Sequence, residues 1–237
     1  MKTVNMLSKR LLVAGLVVFV SCNSGEDKKP AADSTPAPAA AVKPAAPSDV
    51  IIVKHKVANY AKWKTGYDTG DSMRSANGLH NYVIARGVDD SNLVMVAMRM
   101  DDIAKAKAFA VDPALKDAMK KHGVVSTPEI DYVHSVMNDT TAIQQTIRVM
   151  VKHKVKDWDA WKKVFDEHKQ ARMDAGLTDR VVSYTVGDNH QVTLVFAVAD
   201  MAKAKAFMNS KDLADKMKAG GAEGPPSIFF YRVAQKY

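Results

Sequence analysis

Residues 51–135 recur as residues 149–233 at a constant offset of 98 positions, without a gap. Val53-Lys54-His55-Lys56-Val57 returns as Val151-Lys152-His153-Lys154-Val155, and Trp63-Lys64 as Trp161-Lys162. Ala104-Lys105-Ala106-Lys107-Ala108-Phe109 returns as Ala202-Lys203-Ala204-Lys205-Ala206-Phe207. Roughly a third of the aligned pairs are identical, far above chance for an ungapped comparison. A chain built this way folds as two copies of one unit, residues 50–137 and 146–237, joined by a short link. It is a pseudo-dimer within one polypeptide.

What precedes the repeats reads as targeting and tether. Lys2, Lys9 and Arg10 lead into an apolar run from Leu11 to Val20, too short to span a bilayer, followed by Ser21 and Cys22. This 1–22 segment resembles a bacterial lipoprotein signal, which implies lipidation of Cys22 and a cell-envelope protein anchored to a membrane, facing periplasm or exterior. Cys22 is the chain's single cysteine, so disulfides cannot hold the fold together. Residues 23–49, rich in Ala, Pro, Ser and Lys and without aromatics, are expected to form a disordered tether. Removing Lys2, Lys9 and Arg10 lowers the net charge from +8 to +5. The remaining lysines are interleaved with Asp, which describes a solvated face and gives no basis for nucleic-acid binding.

Each repeat reads β-α-β-β-α-α-β. An apolar strand at Val50–Val57 (Arg148–Val155) is followed by a helix capped by Asn59 (Asp157) and ended by Gly78 (Gly176). Its stripe Tyr60, Trp63, Tyr67, Arg74, or Trp158, Trp161, Phe165, His168, Arg172, predicts one buried face. Strands near Tyr82–Val88 and Leu93–Met98 turn at Asp89-Asp90-Ser91-Asn92, and in the second copy at Gly187-Asp188-Asn189. Asp102 and Asp200 cap a third segment, and Asp112-Pro113 and Ser210 start a fourth. Ile130–Val136 and Ile228–Val233 close the units. The predicted class is α+β: two ferredoxin-like repeats, each an antiparallel four-stranded sheet with helices on one face. Val94, Val96 and Met98 should face the helices. Leu93, Met95 and Ala97 would leave a sticky open face unless the two sheets pack together.

The run His153-Lys154-Val155-x-Asp157-Trp158-x-x-Trp161-x-x-x-Phe165-Asp166-x-His168-x-x-x-Arg172 resembles the dimeric α/β-barrel superfamily, whose members include antibiotic-biosynthesis-monooxygenase-like and cyclase-like domains. The resemblance spans nearly all of residues 50–235 and implies an intrachain barrel. It does not select an activity, because one fold serves many chemistries. Haem-degrading relatives carry an Asn, Trp and His set with the Trp on a strand. Here all three Trp lie on first helices, so those roles do not transfer.

Candidate ligand-binding residues follow from burial and asymmetry. His55 and His153 share strand parity with Ile51 and Val53, and with Val149 and Val151, and so face either the helix layer or the barrel lumen. They serve as binding or proton-shuttling imidazoles, or as core histidines satisfied by neighbours. His168 and Arg172 lie one turn apart, whereas the first copy has Gly70 and Arg74. The arginines would attract an anion, or complement a helix C-terminus. Tyr184, opposite Arg86 in the repeat, and Tyr132 are weaker lumen candidates. Phosphate loops, nucleophile elbows and His/Cys clusters at metal spacing are absent from the sequence, so no metal or cofactor is expected. The reading that follows is an exported, lipid-anchored domain holding a small anionic or aromatic molecule in the barrel lumen. A cofactor-independent oxygenase or cyclase using a lumen His, and an interaction scaffold, are the alternatives; no acid/base pair at recognisable spacing supports catalysis.

Overall fold

The computed structural model describes residues 48–237; the expected signal segment, Cys22 and the tether up to residue 47 lie outside them. Runs of Val, Ile and Met fit a pleated, half-buried surface and form the strands. The first repeat contains β1 (Ser48–Lys56), α1 (Tyr60–Thr69), α2 (Asp71–Ala76), β2 (Leu79–Gly87), β3 (Leu93–Met100), α3 (Ile103–Ala110), α4 (Pro113–Lys121) and β4 (Glu129–Asn138). The second contains β5 (Ile147–Val155), α5 (Trp158–Glu167), α6 (Lys169–Asp174), β6 (Leu177–Thr185), β7 (Asp188–Val198), α7 (Met201–Met208), α8 (Lys211–Ala219) and β8 (Ala222–Lys236). Strand β1 therefore takes in Ser48 and Asp49, assigned above to the tether. They pair with Ser135 and His134, and His134 Nδ1 lies 2.7 Å from Asp49 Oδ1.

Helix starts follow the capping chemistry. Asn59, Asp157, Asp102 and Asp200 each accept a hydrogen bond from a backbone N–H two or three residues on, as do Asp112 and Ser210. The first helix of each unit, predicted as continuous, instead breaks at Gly70 and at His168. The arginine one turn beyond accounts for the break. Arg74 Nη1 donates to the Tyr67 carbonyl at 2.7 Å, and Arg172 Nη1 to that of Phe165 at 2.6 Å, taking up carbonyls released at the end of α1 and α5. The chain reverses after the second piece at Gly78 and Gly176, whose φ of 69° and 73° is open to glycine at little steric cost.

All eight strands are antiparallel to their neighbours and close into one barrel in the order β1-β3-β2-β8-β5-β7-β6-β4. Each repeat contributes a sheet in the ferredoxin-like order, and the edges join through β2–β8 and β4–β6. The two sheets are thus stitched edge to edge as well as facing each other, which leaves no open strand edge. Val50, Ile52, Ala85, Met95, Ala97, Val133, Met150 and Tyr231 form a buried cluster inside the barrel, drawn from both repeats. Outside it, Trp63, Ala106 and Phe109 pack on Ile51, Val94, Val96 and Met98 in the first copy. Trp161 and Ala204 pack on Val149, Val192, Leu194 and Phe196 in the second. The parity predicted for β3 is the parity observed.

Candidate functional site

Register settles which face the strand histidines occupy. His55 pairs with Val94, and His153 with Val192, and both valines face the helices. His55 and His153 therefore point outward from the barrel, under the helix layer, and not into the lumen. The alternation along β1 and β5 puts Ile52 and Met150 inside, which forces residues 55 and 153 to the other side. Each imidazole sits against the tryptophan of its helix, with ring centroids 5.6 Å apart for His55–Trp63 and 5.5 Å for His153–Trp161.

Two cavities occupy equivalent places between sheet and helices. In the first copy a cavity of about 140 Å³ is lined by His55, Trp63, Tyr67, Arg74, Phe109 and His122 among others. In the second a smaller one, about 90 Å³, is lined by His153, Trp161, Phe165, His168, Arg172 and Phe207 among others. His55 is 4% exposed and His153 8%, and neither ring nitrogen of either residue has a protein hydrogen-bond partner. Burial holds both imidazoles down, to a pKa of about 4, so they are neutral near pH 7. A neutral imidazole carries one donor and one acceptor. Leaving buried groups of this kind unmet costs roughly 1–3 kcal/mol each. A core histidine satisfied by neighbours, the alternative reading, is not what these two are.

The arginines are fully engaged. Arg172, 4% exposed, donates through Nε and Nη2 to the two Asp179 carboxylate oxygens, both at 2.8 Å, and stacks 3.7 Å above the Phe165 ring. Arg74 makes the same carbonyl contact and stacks 3.7 Å above Tyr67, but its Nε meets the neutral Asn81 at 3.1 Å. These arginines are clamps at a helix break, not free anion receptors. His168, 9% exposed, stands at the edge of the second cavity with Nε2 2.7 Å from Asp212 Oδ2. The equivalent positions in the first copy are Gly70 and Ala114, so this tie between helices belongs to the second copy alone. Tyr184 lines neither cavity: it packs edge-on against Trp158 at 5.0 Å and beside His134. Its counterpart Arg86 lies 3.9 Å over Tyr60, and Tyr132 packs in the helix-side cluster under Lys107. All three leave the lumen for the helix side.

The two copies also fill one pair of facing positions differently. In the first copy the His122 ring occupies the space where a side chain on Gly66 would stand: a Cβ there would lie 2.0 Å from His122 Cγ. In the second copy the same pair is Val164 and Gly220, with Val164 Cβ 3.5 Å from the place of a Gly220 Cβ. Small-with-large became large-with-small. His168, standing where the first copy has Gly70, adds a ring to the edge of the second cavity.

No protein-family profile and no curated protein matches the chain. Solved structures do. An anthrone oxidase-like protein superposes with a TM-score of 0.55 at 11% identity, covering 80% of this chain and 92% of that one. A haem-binding protein of Thermus thermophilus gives 0.50 at 9%, over 80% and 92%. A candidate monooxygenase of Lactobacillus acidophilus NCFM gives 0.50 at 9%, over 79% and 95%. The chain has their fold. At these identities the likeness extends to architecture and no further. Haem is too large for these two outer cavities, since about 150 Å³ holds one benzene and the larger of the two is about 140 Å³. Among the described residues no group of three or more His, Cys, Asp or Glu is placed to hold a metal.

Proposed function

We propose that this protein binds small, mostly apolar molecules in the spaces between sheet and helices, each oriented by one neutral imidazole. The observation that carries the reading is the pair of buried histidines with no protein partner, each lining an apolar cavity. A ligand with a single hydroxyl or carbonyl on a ring would meet the imidazole while its body covers Trp63 and Phe109. The first-copy cavity is the roomier and takes the larger molecule. An N-terminal lipid on Cys22 would hold this binding domain at a membrane of the cell envelope, and the Ala/Pro-rich segment would give it reach. A Cys22→Ala variant should lose the lipid and leave the membrane fraction; a variant that stays there removes the anchor from the proposal.

Catalysis is the second reading, favoured by the acceptor nitrogen that each neutral imidazole can present to an acidic C–H or O–H. The first test is calorimetric titration with phenol, a single ring bearing one hydroxyl. Binding weakened at least tenfold in His55→Phe is expected. Unchanged affinity in a folded variant, or no binding at all, sinks the proposal. Oxygen uptake with an anthrone, lost on replacing His55 or His153 with Ala, would move the protein into the second class.

A further inference from the structure

The interior of the barrel is a separate space, larger than either outer cavity at about 390 Å³, and its two ends are charged differently. At one end Lys54 and Lys152 share Glu129, and Lys152 also reaches Asp131 at 2.9 Å. Two cations and two carboxylates balance. Four residues back along β5, on the same side of the strand, stands Arg148, only 5% exposed. Its Nη1 donates to the backbone carbonyls of Gln145 and Ile147, and among the described residues no carboxylate pairs with it. Arg180, also 5% exposed, lines the same end and is held by Asp139 at 2.9 Å and by the Thr141 carbonyl. Lys236 and Arg99 line the cavity too. Arg99, stacked over Tyr82, and Lys236 are exposed, so the two buried cations are Arg148 and Arg180, and among the described residues Asp139 supplies the side-chain carboxylate lining this cavity.

The charges act on one another. Burial, and after it the Arg148 and Arg180 guanidinium groups, push the Lys236 ammonium below its ordinary range. A buried guanidinium without a counter-charge is costly, and an anion placed beside it recovers that cost through charge-assisted hydrogen bonds. Polar groups toward the Lys152 end come from the second copy: Thr193, which pairs with Lys152, and its neighbour Ser183 stand where the first copy has Met95 and Ala85. Between the two ends the lining is apolar, with Val50, Ile52 and Met95 from the first copy and Met150, two residues along β5 from Arg148, from the second. One cationic end and one apolar lining describe an amphipathic acid.

We propose that the barrel interior binds an organic carboxylate, with Arg148 and Arg180 receiving the carboxylate and Val50, Ile52, Met95 and Met150 covering its hydrocarbon body. This site is independent of the histidine cavities. Calorimetric titration of the protein with octanoate, 1-octanol and inorganic phosphate tests it. Octanoate should bind at least tenfold more tightly than either of the other two, because only it satisfies both ends. Arg148→Gln should weaken octanoate at least tenfold, and Arg148→Lys should retain most of the affinity. His55→Phe should change nothing. Octanoate and octanol binding equally well overturns the proposal whatever the variants do. So does undiminished octanoate binding by a folded Arg148→Gln protein, or phosphate binding as tightly as octanoate, which would leave a simple anion site.

Discussion

The two unpartnered histidines make stability depend on pH in a window where few other groups act. Their folded pKa is about 4, against about 6.5 for a free imidazole. The unfolded chain therefore holds more protons than the folded one between those limits, and stability falls as pH drops from about 6.5 to about 4. Above pH 7 both states are neutral there, and below pH 4 both are charged, so the slope vanishes at either side. At 1.4 kcal/mol per pH unit of that gap, each histidine removes about 3 kcal/mol over the full window and about 2 kcal/mol by pH 5. For the pair that is about 4 kcal/mol by pH 5, a large part of the 5–15 kcal/mol typical of a domain. Glu129 and Asp139, whose carboxyls are held below their ordinary range, begin to titrate lower still and leave the upper part of the window clear. Urea unfolding at pH 7.5 and pH 5, on the protein and on the double variant His55→Phe/His153→Phe, measures the difference. The variant should match or exceed the parent at pH 7.5 and lose about 4 kcal/mol less on acidification. If parent and variant lose the same amount, the imidazoles are already partnered in the folded protein, and the argument from their isolation is wrong.

Three further outcomes are expected. Gly66→Val alone should cost about 1–3 kcal/mol by overpacking against His122; adding His122→Gly, the second copy's solution, should recover at least half by urea midpoint. Arg172→Met should destabilise by about 2–4 kcal/mol because it strands the largely buried Asp179 carboxylate. Arg74→Met, which frees only neutral partners and the exposed Asp71, should cost about 1–3 kcal/mol by the same measurement. Asp212→Asn removes a partner that is largely exposed, so the His168 tie should prove worth no more than about 1 kcal/mol.

The repeat, the caps and the alternation of Val94, Val96 and Met98 made the fold readable before any coordinate. The paired sheets followed from the half-apolar face of Met95 and Ala97. The histidines were found but their side was left open, although the information was present. Once β3 is oriented, the pairing of β1 with it determines where His55 points, and only the register, a tertiary fact, was missing. The arginines were left with two roles, anion receptor or partner of a helix end. Arg74 and Arg172 do receive helix-end carbonyls, but at a break inside a helix that the sequence presents as continuous, and no local signal announces that break. Arg148 and Arg180 escaped notice although Arg148 shares the parity of Met150, because a charge at a strand's first residues reads as an exposed end.

Closure within one polypeptide has a consequence for how such a barrel diverges. In a symmetric homodimer every residue is present twice, so an arginine facing the axis meets its own image, and four buried guanidinium groups would crowd one chamber. Covalent fusion lifts that constraint. Here position 148 carries a cation where its twin at position 50 carries a valine, and the interior acquires a direction, basic at one end and charge-balanced at the other. A container with a direction can hold a molecule whose two ends differ, which a twofold-symmetric vessel can do only by accepting it both ways round.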